Sequence, residues 1–412
     1  MKVGSGRIDI TPTEPFYLLG YKTPLRNEPA EGIHDHVFIN GLLICNNLNQ
    51  KIFIATGDLL EIEDKLAAEI RLKISLKYNI LFDHVIIGVT HDHHSVRDFH
   101  ENWTFGKFSQ KYQDILIQSF IDLFETCHQQ LTEASALYGE DKVQGFYSNR
   151  NHPGQESDNV VSVIKFVSQG KAIAGIVNLA VHSTVLSGEN MLLTADLAGN
   201  LSKKLNEKWD FYPLMLIGCA GDSSNHHDRL GRDFSELDRV TTGLADKIGV
   251  IRAKTQVNMD NHNLRVLTMN QEIINDKESY DKDLIERIKG MRSGAIQPVG
   301  SQPVNHLIKK CEEQLKETQF YDVVPMRIID LGDLRIFVFP GELASAGGDL
   351  LRNSTPKTVL IAGYCDGFHH YFLEKKDYGL SFETIGNPVP PGTFEHIIQK
   401  FCEGSYLLDY HV

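Results

Sequence analysis

The six cysteines of this 412-residue chain, Cys45, Cys127, Cys219, Cys311, Cys365 and Cys402, stand far apart, and no Cys-x-x-Cys pair occurs. That spacing excludes a thiolate zinc ribbon and reads as reduced thiols in a cytoplasmic protein. A basic excess is missing too: 54 acidic residues face 41 basic ones, for a formal charge of −13. This balance argues against a protein that coats nucleic acid or stays bound to an anionic membrane. Apolar runs such as Val85–Ile87 are strand-length, far short of the roughly 20 residues of a membrane span. The opening Met1–Arg7 leads into Ile8-Asp9-Ile10-Thr11-Pro12 without an apolar stretch, so no signal peptide is expected. No Gly-rich loop of the Walker or dinucleotide type is present, which disfavours nucleotide chemistry of those classes. Repeats, charged tails and Gly/Ser/Pro-rich linkers are likewise lacking.

What the chain does have is short apolar runs alternating with amphipathic stretches, the pattern of an α/β fold with mixed α+β elements, a β-sheet core flanked by helices. Lys51–Thr56 and His84–Val89 read as strands, with a helix between them whose stripe is Ile62, Leu66, Ile70 and Ile74. A helix is expected from about 109 to 130. Further strands are expected at Val160–Phe166, Ala174–Ala180, Leu214–Ile217, Met326–Leu331, Arg335–Phe339 and Thr358–Ile361, with a closing helix near Thr393–Phe401. The stretch Met259–Gln319 reads as polar and mostly helical, with a mobile loop at Met291–Pro303. Residues 1–412 read as one catalytic domain, with two lobes meeting near residue 255.

Several apolar strands end abruptly in residues that bind metals or move protons. Val85–Thr90 runs into His91-Asp92-His93-His94, and Ile176–Val181 into His182. Leu214–Gly218 leads to Ala220-Gly221-Asp222-Ser223-Ser224, Ile336–Phe339 to Pro340-Gly341-Glu342, and Val359–Ile361 through Gly363 to Tyr364 and Tyr371. Ligands of open α/β sheets bind beyond the carboxyl ends of strands, and two histidines with a carboxylate suit a zinc ion that keeps one position open. Three imidazoles and a carboxylate in four residues serve no core, whereas Glu342 alone reads as an acidic residue at the start of a helix Leu343–Leu351. Gly221–Ser224 lacks the Gly-x-Ser-x-Gly elbow, so a serine nucleophile is unsupported.

In chain order these segments resemble the catalytic domain of neutral/alkaline non-lysosomal ceramidases. Gly6–Pro12 resembles that family's Gly-x-Ala-Asp-Ile-Thr-Pro, Gly32-Ile33-His34-Asp35 its Gly-Ile-His segment, and Thr90-His91-Asp92-His93 its Thr-His-Thr-His. Asn149-Arg150-Asn151, Ala180–Thr184, Ala220–Ser224 and Pro340-Gly341-Glu342 have counterparts too. The resemblance implies zinc ligands at His91, His182, Glu342 and Tyr371, with Tyr364 and Tyr378 as rivals for the tyrosine. It places His93 beside the metal, Arg150 on the substrate and Ser224 in the site wall. The chain departs from the family where Ser-Gly-Pro-Gly is replaced by His94-Ser95-Val96-Arg97 and where a proline gives way to Asn225.

The expected activity is therefore zinc-dependent hydrolysis of an N-acyl amide bond in a small molecule. His93 or Asp92 would move the proton, and Arg150 or Tyr371 would stabilise the oxyanion. Asp35, Asp58 and Asp196 are candidates to orient the histidines. A zinc esterase, lactonase or sugar N-deacylase, and a non-catalytic binding protein on the same fold, are the alternatives.

Overall fold

The computed structural model describes residues 1–299 and 303–410. Its framework is three sheets. The first is built from β1 (Lys2–Asp9), β2 (Phe38–Cys45), β3 (Lys51–Gly57) and β4 (Val85–Val89), with Thr132–Glu133 on its far edge. The second contains β5 (Ser135–Lys142), β6 (Val160–Ser168), β7 (Lys171–Leu179) and β8 (Leu214–Ile217), extended by Thr255–Val257. The third contains β9 (Arg265–Ile274), β10 (Tyr321–Leu331), β11 (Leu334–Val338) and β12 (Thr358–Ala362).

Strand alternation sends successive side chains to opposite faces. In β3, Ile52 and Ile54 join a central apolar cluster, while Phe53 and Ala55 face helices. The same cluster takes Ile164, Ile176, Leu214 and Leu216 from the second sheet and Ile329, Ile336, Val338 and Leu360 from the third, so the three sheets meet on their inner faces. Helices cover the outer faces: α1 (Asp64–Tyr78) and α2 (Gln110–Gln129) on the first, α3 (Asp196–Trp209) and α4 (Phe234–Gly249) on the second. Beyond α5 (Lys277–Ser293) and α6 (Val304–Gln314), the short α7 (Ala346–Arg352) and α8 (Thr393–Tyr410) back the third sheet.

Each sheet holds one parallel pair: β3 with β4, β7 with β8, and β11 with β12. Parallel neighbours need a crossover, and α1, α3 and α7 supply the three. The carboxyl ends of all three pairs point to one region. Asn178 stitches two of them, its amide donating to Leu216 O (2.8 Å) and Ile361 O (2.9 Å) while its carbonyl accepts from Ile361 N (2.8 Å). Asn178→Ala should lower unfolding free energy by about 3 kcal/mol, since buried main-chain groups lose partners; urea titration measures it, and an unchanged midpoint would remove Asn178 from this role.

Three readings need correction. Arg265–Ile274 lies in the stretch read as helical, yet it is a strand antiparallel to β10. Thr268, Asn270 and Glu272 face solvent in alternation with inward Leu267, Met269 and Ile273, the period of an edge strand. The helix expected from Leu343 starts only at Ala346. The last helix runs past Phe401 because buried Arg335 donates to Ser405 O (2.9 Å) and pairs with Asp409 (2.9 Å), anchoring its end. Of the segment read as a mobile loop, Met291–Ser293 closes α5, and residues 300–302 lie outside the described residues. Among the described residues no helix is long and apolar enough to cross a membrane.

Candidate metal centre

The strand ends are tied together before any side chain is considered. Val89 N donates to Tyr364 O (3.2 Å), Gly363 N to Ile217 O (2.8 Å) and Gly218 N to Leu179 O (2.8 Å). His91 after β4, His182 after β7, Glu342 after β11 and Tyr364 after β12 are thereby brought to one point. His91 and Tyr364 both have φ of +57°, a left-handed backbone that non-glycine residues adopt at some energetic cost and that clusters at functional sites.

His91 Nδ1 lies 2.8 Å from Leu60 O, and His182 Nδ1 lies 3.1 Å from Ser223 O. A carbonyl only accepts, so both rings carry their proton on Nδ1 and present an Nε2 lone pair. The two Nε2 atoms stand 3.6 and 3.0 Å from Glu342 Oε2, and His93 Nε2 is 3.2 Å from His91 Nε2. Burial pushes His91 down to about 3 against the pull of Glu342, and burial also holds His93 and His182 well below the ordinary imidazole value. All three rings are therefore neutral at pH 7. Neutral lone pairs aimed at a buried carboxylate repel it, unless a cation sits among them. His91, His93 and His182 each offer a ligand atom within 4.8 Å of the others, and His182 Nε2 is buried without a hydrogen-bond partner among the described residues. The donor set fits a divalent metal ion.

Glu342 owes its position to pairing, not to a helix start: Glu342–Leu343 runs parallel to Tyr371–Phe372, with Glu342 opposite Tyr371. Burial raises its carboxyl above the ordinary value, opposed by His91 and Arg150. Tyr364 OH donates to Glu342 Oε2 at 3.3 Å, and the Tyr371 hydroxyl interacts with both Glu342 and Arg150. Tyr378 is placed elsewhere, acting on Glu395 and Tyr280. Arg150 Nε donates to Glu383 Oε1 (2.6 Å) and Nη2 to Gly221 O (2.8 Å), and its guanidinium lies 5.6 Å from the Tyr371 ring centroid. Burial would lower the guanidinium, but Glu383, Tyr371 and Glu342 raise it above its usual value.

Two sequence candidates are placed differently. Asp92 is fully buried and groups with His94 and Asp196 instead of with the three histidines. Ser224 Oγ accepts from His226 N (3.2 Å) within its own turn; the serine that touches a histidine is Ser223, through its carbonyl. Asp35, Asp58 and Asp196 do not orient His91 or His182 either, since main-chain carbonyls do. Asp35 binds Thr194 Oγ1 (2.6 Å), and Asp58 binds Phe38 N (3.0 Å). The residues missed are Leu60 and Ser223, which act through the main chain and leave no mark in the side-chain pattern, and Glu383, one acid among many.

The segment bearing Tyr371 is pinned by His369, whose ring lies 2.6 Å from Asp322 and 3.0 Å from Asp64. Burial would lower this imidazole, but the two carboxylates raise it to about 9 from 6.5. A raised folded-state value means stability fully present below about pH 6.5 and lost as pH climbs through about 9. His369→Asn should thus cost more stability at about pH 6 than at about pH 10; denaturant titrations at both values measure it, and equal losses would contradict the pairing.

Residues 1–211, just over half of the chain, match the model of the neutral/alkaline non-lysosomal ceramidase family, N-terminal part. The chain belongs to this family. It is 22% identical over 231 residues to the neutral ceramidase of Drosophila melanogaster, a match covering 51% of this chain and 32% of that protein. The neutral ceramidase of Drosophila pseudoobscura pseudoobscura matches to the same extent. The chain's match thus spans about a third of the length of these curated relatives. The crystal structure of neutral ceramidase from Pseudomonas aeruginosa superposes with a TM-score of 0.76 at 18% identity, over 100% of this chain and 75% of that one. A ceramidase complexed with C2 gives the same score at 16% identity. At these identities the likeness shows the fold: sheets flanked by helices, as the strand and helix periodicities imply.

Proposed function

We propose that this ceramidase-family protein is a zinc-dependent hydrolase of N-acyl amide bonds, with His91, His182, Glu342 and Tyr371 holding the metal. The observation that carries the reading is the convergence of imidazole lone pairs on buried Glu342. Bound zinc would supply Lewis acidity and lower the pKa of a water to about 7. Everything else falls to side chains. Arg150, fixed by Glu383 and the Gly221 carbonyl, holds a positive charge where the acyl oxygen becomes negative. Tyr371, between Glu342 and Arg150, shares that load. His93 is neutral at pH 7 and a weak base in its buried setting. It accepts a proton from the attacking water and surrenders it readily to the leaving nitrogen. The substrate is a small N-acylated molecule, of the kind the relatives' name indicates. A reducing, cytoplasmic location is proposed with it, supported by six unpaired cysteines, five of them buried.

A panel of matched acyl amides and acyl esters tests the bond. Turnover of the amides, with kcat/KM above that of the esters, is expected; turnover confined to esters would replace the amide reading.

A further inference from the structure

On either side of His93 stand Asp92 and His94, both with 0% of their surface exposed. They meet Asp196, the first residue of α3, also at 0%, and one ligand-capable atom of each lies within 4.8 Å of the other two. Hydrogen bonding leaves the group incomplete. His94 Nε2 is 3.0 Å from Ser187 O, a pure acceptor, so Nε2 carries a proton. Its other nitrogen, Nδ1, faces Asp196 Oδ2 at 3.2 Å, a contact that needs positive charge either on the ring or on an ion beside it. Asp92 Oδ1 accepts from His94 N (2.9 Å), but Asp92 Oδ2 is buried without a hydrogen-bond partner among the described residues. A buried carboxylate oxygen so placed wants a cation.

The surroundings are organised around this group. Asp196 Oδ1 accepts from Val185 N (3.1 Å), and Asp196 keeps a left-handed φ of +38°. The Tyr21 ring packs 5.3 Å from that of His94, and its hydroxyl donates to Leu186 O (2.6 Å). Arg26 and Arg229 lie within electrostatic range of Asp92 and Asp196 respectively, but neither makes a hydrogen bond to either carboxylate. Asp92 and His94 are also among the positions where this chain departs from the family pattern set out above, which has threonine and serine there.

We propose that Asp92, His94 and Asp196 bind a second divalent cation, of the zinc or manganese type, separate from the one at His91, His182 and Glu342. One imidazole with two carboxylates suits such a first-row ion, whereas calcium and magnesium prefer all-oxygen sites. The ion neutralises two buried carboxylates. It also ties the turn that carries His91 and His93 to the start of α3 and to the loop at Ser187. Its role is to hold that turn in place, and it does not depend on the reading of the first centre.

The test is metal analysis of the full chain purified from zinc- and manganese-replete cells, with anomalous diffraction to locate the ions. The wild type, Asp92→Thr/His94→Ser and His182→Ala are compared. The wild type should hold about two ions per chain, and each variant should fall to about one. An anomalous peak should lie among Asp92, His94 and Asp196 in the wild type and in His182→Ala, and vanish in the double variant. No peak there in the wild type, with His94 doubly protonated by nitrogen-15 NMR, would overturn the proposal in favour of a buried ion pair. If the double variant fails to fold, the wild-type anomalous map decides alone. A peak at Asp196 beside an empty His182 centre would uphold this site while sinking the proposed function, and the converse separates them the other way.

Discussion

His182→Ala is expected to remove metal from the centre proposed at His91, His182 and Glu342 and to lower amide turnover at least about 1,000-fold, the upper range for loss of a single oxyanion donor. The expectation follows from what His182 does here. Its Nδ1–H is engaged by Ser223 O, so the ring cannot rotate its lone pair away from Glu342. Without it, Glu342 faces a void on one side and a neutral imidazole on the other. The substitution also vacates the ring that lies parallel to Tyr371, with centroids 6.5 Å apart. Because folding of a ligand variant is itself at issue, the readouts are metal per chain, circular dichroism and kcat/KM together. A folded variant that keeps both metal and turnover would remove His182 from the centre.

Arg150→Ala is expected to lower kcat/KM about 100- to 1,000-fold with the metal retained. Arg150 is not a candidate ligand. It is a partly buried cation with one edge on Glu383 and another on the Gly221 carbonyl, facing Tyr371. Lysine carries the charge but not the fork, so Arg150→Lys should recover little of the loss. The variant also removes from buried Glu383 its one charged partner, leaving Asn151 (3.0 Å) and Ser381, so some loss of stability accompanies it. A fall in kcat with metal content unchanged distinguishes this role from that of His182. Unchanged kinetics in Arg150→Ala would show that the acyl oxygen is not stabilised here.

Much of this architecture is legible in the sequence, because burial on both faces makes the parallel strands read as continuous apolar runs. β4, β7, β8 and β12 announce themselves that way, and His91 and His182 stand out because each breaks such a run. β9 does not, because an edge strand with Thr268, Asn270 and Glu272 outward carries too few apolar residues to separate it from polar helix. Glu342 is ambiguous for another reason: acid after Pro-Gly suits a helix start, and only its pairing with Tyr371, near in space through the short parallel ladder of Glu342–Leu343 and Tyr371–Phe372, resolves it. Asp92, adjacent to His93, reads from the sequence as an alternative proton carrier. Successive residues at a strand end point in different directions, and the chain sends Asp92 toward α3 instead. Orientation of His91 and His182 by main-chain carbonyls could not be read at all, since any residue supplies a carbonyl.

The most direct test of the central claim is amide hydrolysis measured on one preparation before chelation, after chelation and after zinc is returned. The account predicts that turnover disappears with the metal and comes back with zinc. Full amide turnover by metal-free protein would contradict it.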